Sequence, residues 1–340
     1  MPRTSQALAR NVIARTTMAS AALAASLFGA AAQAADFKVE RVSFTSAGQT
    51  LSGHLYIPAG VSRANPAQAA VVTGAWMTIK EQMAGRYAQE LAQRGIVALA
   101  FDFRGWGESA GQPRAMENPA AKTEDIRAAV AFLATRADVN KNSIAGLGIC
   151  ASAAYMAEAA ATTPALRSVA LVAPWLHDRA IVNAVYGGEQ GVASLIKLGR
   201  DAETNFKATG QATLLPAASA TDKTAVMFNV PYYTEPSRGL IPQWENKFNV
   251  ASWEAWLTLD AMPIAPRLKV PLLMVHSEAA AIPQGARQFF AAVSAPKQQL
   301  WLDKVGQFDF YDRAAPVKNA ADAVAAHFKT SLGAAPVAQR

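Results

Sequence analysis

One cysteine and four histidines stand in a chain of 340 residues. A single thiol excludes an internal disulfide, and in an oxidising compartment a lone thiol is a liability unless it is buried or used. None of the histidines (His54, His177, His276 and His327) has metal-ligand spacing to another or to Cys150, so no zinc or other metal site is expected. Charge of either sign is not strongly in excess. The formal net charge is +7 and falls to +4 once three N-terminal arginines are set aside, leaving 29 basic against 25 acidic residues. So mild a balance gives no reason to expect a nucleic-acid partner. Long apolar runs are absent after the N-terminus, which excludes a later membrane span. Hydrophobic residues make up 51% of the chain, so a sizeable core is available and gross disorder is excluded.

The first 34 residues read as a secretory signal peptide. Arg3, Arg10 and Arg15 form a positive start, Met18 to Ala32 an uncharged alanine-rich stretch, and Ala32-Gln33-Ala34 a small-x-small cleavage site. The apolar stretch falls short of the ~20 residues that a span needs. The expectation is cleavage after Ala34 and a soluble periplasmic or secreted protein, with no integral membrane segment once the signal is removed.

The remainder alternates strand and helix. Val39–Thr45 and Thr50–Ile57 alternate apolar and polar residues about a turn at 46–49, a β-hairpin. Apolar strands follow at Ala69–Thr73, Ile96–Phe101 and Ser168–Ala173, separated by helical spacing over Lys80–Gln93 and Thr123–Thr135. The rhythm breaks between 179 and 266, then resumes with strands at Val270–His276 and Gln299–Leu302 and helices at Gln284–Val293 and Ala315–Phe328. This pattern predicts an α/β fold with a doubly wound, mostly parallel sheet. Its core is residues 35–178 and 267–332, with an inserted cap at 179–266 and a flexible tail at 333–340. Ligands in such sheets bind beyond the carboxyl ends of the strands. The cap is rich in aromatics, including Tyr232, Tyr233, Trp244, Phe248, Trp253 and Trp256. They line an apolar pocket or form the cap's own core.

The stretch Ser143 to Tyr155 reads as strand, sharp turn and helix, with Cys150 at the apex of Gly148-Ile149-Cys150-Ala151-Ser152. Small neighbours suit a strained turn in which the helix packs close to the strand, and a helix N-terminus aimed at the thiol favours the thiolate. The alternative is a buried core cysteine. The pentapeptide resembles the nucleophile elbow of α/β-hydrolases, usually G-x-S-x-G. Three further segments carry the same resemblance: Gly74 to Gln82, similar to the oxyanion loop; Phe101 to Ser109, similar to the loop after the fourth strand; and Gln307 to Asp312, similar to the segment of the catalytic histidine. Together they resemble the dienelactone-hydrolase-like branch, in which the nucleophile can be cysteine.

That resemblance implies Cys150 as nucleophile. It implies an oxyanion hole from the backbone N–H of Ala151 and that of Ala75 or Trp76. The chain departs from the pattern at the other two catalytic positions. The usual base position is Gln307, which cannot exchange a proton near neutral pH. The usual acid position is Ala280, with Glu278 two residues early as a possible acid. His177, after the sixth strand, is the possible substitute base. Ser152 is read as a small packing residue, and Asp102 and Arg104 as braces of their loop. The expected function is acyl-enzyme chemistry on an apolar ester, lactone or thioester of modest size, by hydrolysis or by acyl transfer, with no cofactor. The rival expectation is a ligand-binding protein on a degenerate hydrolase fold.

Overall fold

The computed structural model describes residues 37–333. The expected signal peptide and the tail from residue 334 lie outside the described residues. A single mixed sheet of eight strands organises the rest. In chain order the strands are β1 (Phe37–Ser46), β2 (Gln49–Pro58), β3 (Ala67–Thr73), β4 (Val97–Phe101), β5 (Val139–Ile149), β6 (Leu166–Val172), β7 (Leu272–Ser277) and β8 (Lys297–Leu302). In space they run β1-β2-β4-β3-β5-β6-β7-β8. β1 and β2 form an antiparallel hairpin, β2 is antiparallel to β4, and every later pairing is parallel. This is the mostly parallel α/β sheet that the strand–helix alternation predicts, in the α/β-hydrolase arrangement that the resemblance implies.

The hairpin turn has positive φ at both Ala47 and Gly48, the left-handed pair that matches the twist of two-residue hairpins. The central strands β3, β4 and β5 are buried on both faces, which is why they read as apolar runs and not as alternations. Helices cover both faces: α1 (Met83–Gln93), α2 (Pro119–Thr135), α3 (Ser152–Thr162), and later α8 (Pro283–Ala292) and α10 (Ala314–Gly333). α2 begins a turn earlier than its apolar periodicity suggests. The Asn118 side chain accepts the Ala121 N–H and Pro119 sits at the first helical position, so local capping extends the helix.

Between β6 and β7 lie α4 (Arg179–Val185), α5 (Gly188–Thr209), α6 (Pro231–Thr234) and α7 (Ser252–Leu257), with short strand pairs that stay outside the main sheet. This inserted segment packs on the loops after the strands. The Trp244 indole donates to the carbonyl of Met77 at 2.7 Å, and Gln82 donates to the carbonyl of Gly239 at 2.7 Å. Among the described residues, no helix is long and apolar enough to cross a membrane.

Candidate active site

Cys150 occupies the turn between β5 and α3 with φ +58, a conformation rare outside glycine. Such a residue costs on the order of 1–3 kcal/mol and persists only where its surroundings enforce it. Here its N–H donates to the carbonyl of Val172, and its carbonyl accepts from Trp175 N–H at 2.9 Å and Ala153 N–H at 3.1 Å. The close approach of α3 explains the glycines before the turn. A Cβ on Gly148 would lie 2.8 Å from the Ala153 Cα, and one on Gly146 would strike the Met156 sulfur. Ser152 turns away from the apex: its hydroxyl donates to the carbonyl of Ile149 and accepts the Ile149 N–H. Expected as a small packing residue, it also braces the turn through these two bonds.

Four polar groups lie near the buried Cys150 sulfur: the Tyr311 hydroxyl, the backbone N–H groups of Ala151 and Trp76, and the Gln307 carboxamide. Burial pushes the thiol's pKa up, and these four groups act in the opposite direction by stabilising a thiolate. Of the two residues considered beside Ala151, the Trp76 N–H acts to favour the thiolate. The Ala75 N–H is directed to the Met83 sulfur at 3.4 Å. Two sets of bonds hold this loop. The buried carboxylate of Asp102 accepts the Lys80 N–H at 2.8 Å and the Lys80 ammonium at 2.7 Å. The buried carboxylate of Glu117 takes the N–H of Met77 at 3.3 Å, the Lys122 ammonium at 2.7 Å and the Tyr155 hydroxyl at 2.8 Å. Asp102 is thus the expected loop brace, and Arg104 joins it by pairing with Asp125 of α2.

Gln307 is fully engaged. Its Nε2 donates to the carbonyl of Ala173 at 2.8 Å and to the Tyr311 hydroxyl at 3.0 Å, while its Oε1 accepts the Ala281 N–H at 3.1 Å. Because the Ala173 carbonyl can only accept and the Ala281 N–H can only donate, the orientation of the amide is determined by its partners. Tyr311, on the short helix α9 (Asp309–Asp312), is the site residue that sequence reasoning missed. The available signal was its spacing of four residues from Gln307.

The other two expected site residues are not brought to the thiol. His177 is buried, its Nδ1 accepts the Trp175 indole N–H at 2.9 Å, and its ring meets the Trp256 ring edge-on at 4.7 Å. Its Nε2 finds no hydrogen-bond partner, the sulfur included. Burial depresses its pKa to about 4, so the ring is neutral. Glu278 is exposed and pairs with Arg287 on α8, facing solvent. Ala280 is buried and supplies no carboxylate. The other histidine near this edge, His276, is buried against Trp301.

The inserted-segment aromatics named from the sequence are buried, most of them against one another, and Tyr232 also lines a cleft. Trp76 stacks on Trp256 at 4.9 Å between ring centroids and packs against Phe248 and Trp253, so the inserted segment and the loop after β3 share one aromatic cluster. Tyr155, Tyr186 and Tyr233 also lie within electrostatic range of the sulfur. A cleft of about 240 Å³ opens between α1 and the cap, and Tyr311 forms part of its wall beside Tyr232, Arg238 and Asp312. Among the described residues, His54, Glu81 and Glu108 approach one another closely enough to suggest a metal site. Lys80 and Arg41 already pair with these carboxylates and meet their charge.

With this geometry in view, similarity to known proteins decides the family. Residues 65–305 match the family described as serine aminopeptidase, S33. The chain belongs to that family of α/β-hydrolases. It is 30% identical over 306 residues to YcjY of Escherichia coli (strain K12), covering 86% of this chain and 99% of that one. It is 32% identical over 294 residues to PA2218 of Pseudomonas aeruginosa, covering 81% and 77%. The crystal structure of PA2218 superposes with a TM-score of 0.75 over 87% of this chain and 94% of that one, at 26% identity. The thiohydrolase aneE of Aspergillus aculeatus is 24% identical over 274 residues, covering 75% and 82%. The expected α/β-hydrolase membership is shown by these relatives, and the dienelactone-hydrolase-like branch within it is not. The dienelactone hydrolase of Anabaena variabilis is a distant structural neighbour, at 11% identity and a TM-score of 0.53, and shares the fold alone.

Proposed function

We propose that this S33-family chain is an acyl-transfer enzyme in which Cys150 is the nucleophile, acting on an ester or thioester. One observation carries the reading: a buried cysteine held at φ +58 at the apex of a strand–turn–helix, with the backbone N–H groups of Trp76 and Ala151 near enough to favour its thiolate. Two such donors suit the oxyanion of a tetrahedral intermediate, often the largest contribution to acyl-transfer catalysis. A core cysteine needs neither the strain nor the donors. The thiohydrolase name of aneE supports the same chemistry. No base meets the sulfur, so acylation is expected to outrun hydrolysis of the acyl-enzyme.

Intact mass of the protein mixed with an activated acyl ester, beside Cys150→Ala, tests this reading. An adduct confined to the unsubstituted protein is expected, and an equal adduct on both would refute Cys150 as nucleophile. A second reading, a binding protein without turnover, is favoured by the full engagement of Gln307. It predicts no adduct with any ester. We further propose export, supported by the N-terminal arginines, the apolar stretch and Ala32-Gln33-Ala34. N-terminal sequencing of the protein from a producing cell would begin at Ala35.

A further inference from the structure

We propose that Glu117 is a positioning residue for acyl transfer: its buried carboxylate holds Met77 in a left-handed conformation and so fixes the turn that presents the Trp76 N–H, a role that rests on the reading of Cys150 as nucleophile.

Trp76 and Met77 are the central residues of the turn Ala75–Thr78. The Ala75 carbonyl accepts the Thr78 N–H at 3.3 Å and the Thr78 hydroxyl at 2.6 Å. In a trans peptide the carbonyl and the following N–H point in opposite directions, so the Trp76 N–H faces out of the turn. In the reading above, that N–H is one of the two donors to the oxyanion. Met77 stands at φ +62, where a turn calls for glycine or asparagine. A methionine there costs on the order of 1–3 kcal/mol and persists only where its surroundings hold it. Two bonds from outside the loop do so. The Met77 N–H donates to the Glu117 carboxylate at 3.3 Å, and the Met77 carbonyl accepts the Trp244 indole N–H at 2.7 Å.

Glu117 is itself held in place. Its N–H donates to the Ser252 hydroxyl on α7 at 2.8 Å, which anchors the backbone from which the side chain extends. The Lys122 ammonium meets the same carboxylate oxygen as Met77, at 2.7 Å, and the Tyr155 hydroxyl donates to the other oxygen at 2.8 Å. Three donors on one side chain exceed the two lone pairs of an amide oxygen and suit a carboxylate. Met77, Glu117, Lys122 and Tyr155 are all buried, so water does not compete for these bonds. A carboxylate placed only to neutralise Lys122 needs no strained backbone as a further donor. Glu117 touches no reacting atom and acts through the turn. Without its oxygen, Met77 is free to leave φ +62, and the turn that carries Trp76 relaxes with it.

The test separates holding the turn from holding the fold. One double variant, Glu117→Leu with Lys122→Met, removes the buried charges and the acceptor together. A second, Glu117→Gln with Lys122→Met, removes the charges but keeps an oxygen for the Met77 N–H. Two reactions of Cys150 are followed by intact mass in the full chain: acylation by 4-nitrophenyl hexanoate, which passes through an oxyanion, and alkylation by iodoacetamide, which does not. The first variant is expected to slow acylation by ~10- to 100-fold while alkylation stays within ~3-fold of the native rate. The second is expected to bring acylation back to within ~3-fold of native. Native acylation in the first variant, or equal slowing of both variants, would overturn the positioning role and leave Cys150 as nucleophile. So would acylation and alkylation slowed together, the mark of a merely structural defect. A native protein that iodoacetamide alkylates and the ester does not acylate would overturn the nucleophilic reading itself, which separates the two failures. Amide hydrogen exchange over residues 74–82 is a second readout that needs no turnover. It should be faster in the first variant and native in the second, and unchanged exchange in the first would refute the hold on Met77.

Discussion

Glu117 and Gln307 are both buried acceptors bordering the Cys150 site, and they handle burial in opposite ways. Glu117 is charged and sits among Lys122, Tyr155 and the Met77 N–H, so it ties α2, α3 and the oxyanion loop at one carboxylate. Gln307 is neutral and meets one backbone carbonyl, one backbone N–H and a phenol, joining the end of β6, the turn after β7 and α9. The difference separates two uses of polarity. Charge is placed where elements must be held in register. The positions that carry acid and base in related folds, Ala280 and Gln307, hold none. Losing both together is coherent, since a buried carboxylate with no cationic partner is costly.

Breaking the charged network should have the largest effect. Glu117→Ala leaves the Lys122 ammonium buried above the Phe103 and Trp106 rings without its carboxylate. Burial already lowers the Lys122 pKa, and Glu117 is what opposes that. The expected loss is about 3–5 kcal/mol in urea unfolding. Removing both charges, as Glu117→Leu with Lys122→Met, should recover much of it. Equal losses in the single and double variants would show that the cluster stabilises by packing and not by pairing.

The Gln307 edge has its own sensitivity, and it is to acid. His177 and His276 are buried near this edge, and burial depresses each pKa to about 4. A depressed histidine contributes its stability above the unfolded value of about 6.5, and the contribution is lost as pH falls from there through 4, because the unfolded chain binds the proton first. Each contributes up to about 3 kcal/mol by this linkage. Urea unfolding at pH 7, 6, 5 and 4.5 should show a steady decline. A flat profile would mean that the rings are reached by water or already charged. Glu108, depressed to about 2 by Lys80 and Arg41, acts only below this window.

Much of this architecture is legible in the residues. The hairpin, the order of strands and the elbow follow from period-two alternation, apolar runs and the glycines at 146 and 148. Element ends are less legible, because capping groups such as Asn118 override periodicity. The site is only partly legible. Trp76 and Ala151 can be named from position alone, since backbone N–H groups do not depend on side-chain identity. The role of Glu117 is hidden because Met77, Lys122 and Tyr155 are scattered over 79 positions of chain and only the folded sheet unites them. His177 stands after β6 as expected, but the indole two residues before it decides which way the ring faces.

A charge placed on the neutral side should cost less than one removed from the charged side. Gln307→Glu turns a donor toward the Ala173 carbonyl into an acceptor, and removes the Ala173 partner while adding a buried carboxylate. The Ala281 N–H still has an oxygen to meet, and the Tyr311 hydroxyl can reverse its donation. The expected loss is about 1–3 kcal/mol at pH 7 and less at pH 5, where protonation restores a donor. A loss as large as that of Glu117→Ala would erase the distinction between the two networks.

The smallest effect is expected at Cys150 itself, where the two readings of the thiol diverge most. If the turn is held by Val172, Ala153 and Trp175 through the backbone, the side chain at its apex contributes little to folding. Cys150→Ala should then change unfolding free energy by less than about 1 kcal/mol, since a small thiol packs much like a methyl group with one further atom. Cys150→Gly should exceed Cys150→Ala by about 1 kcal/mol, because at φ +58 only glycine escapes the penalty on Cβ. A core cysteine chosen for packing predicts the reverse order, with glycine the worse of the two. A strained apex that grows more stable when its side chain is deleted is retained for something other than stability.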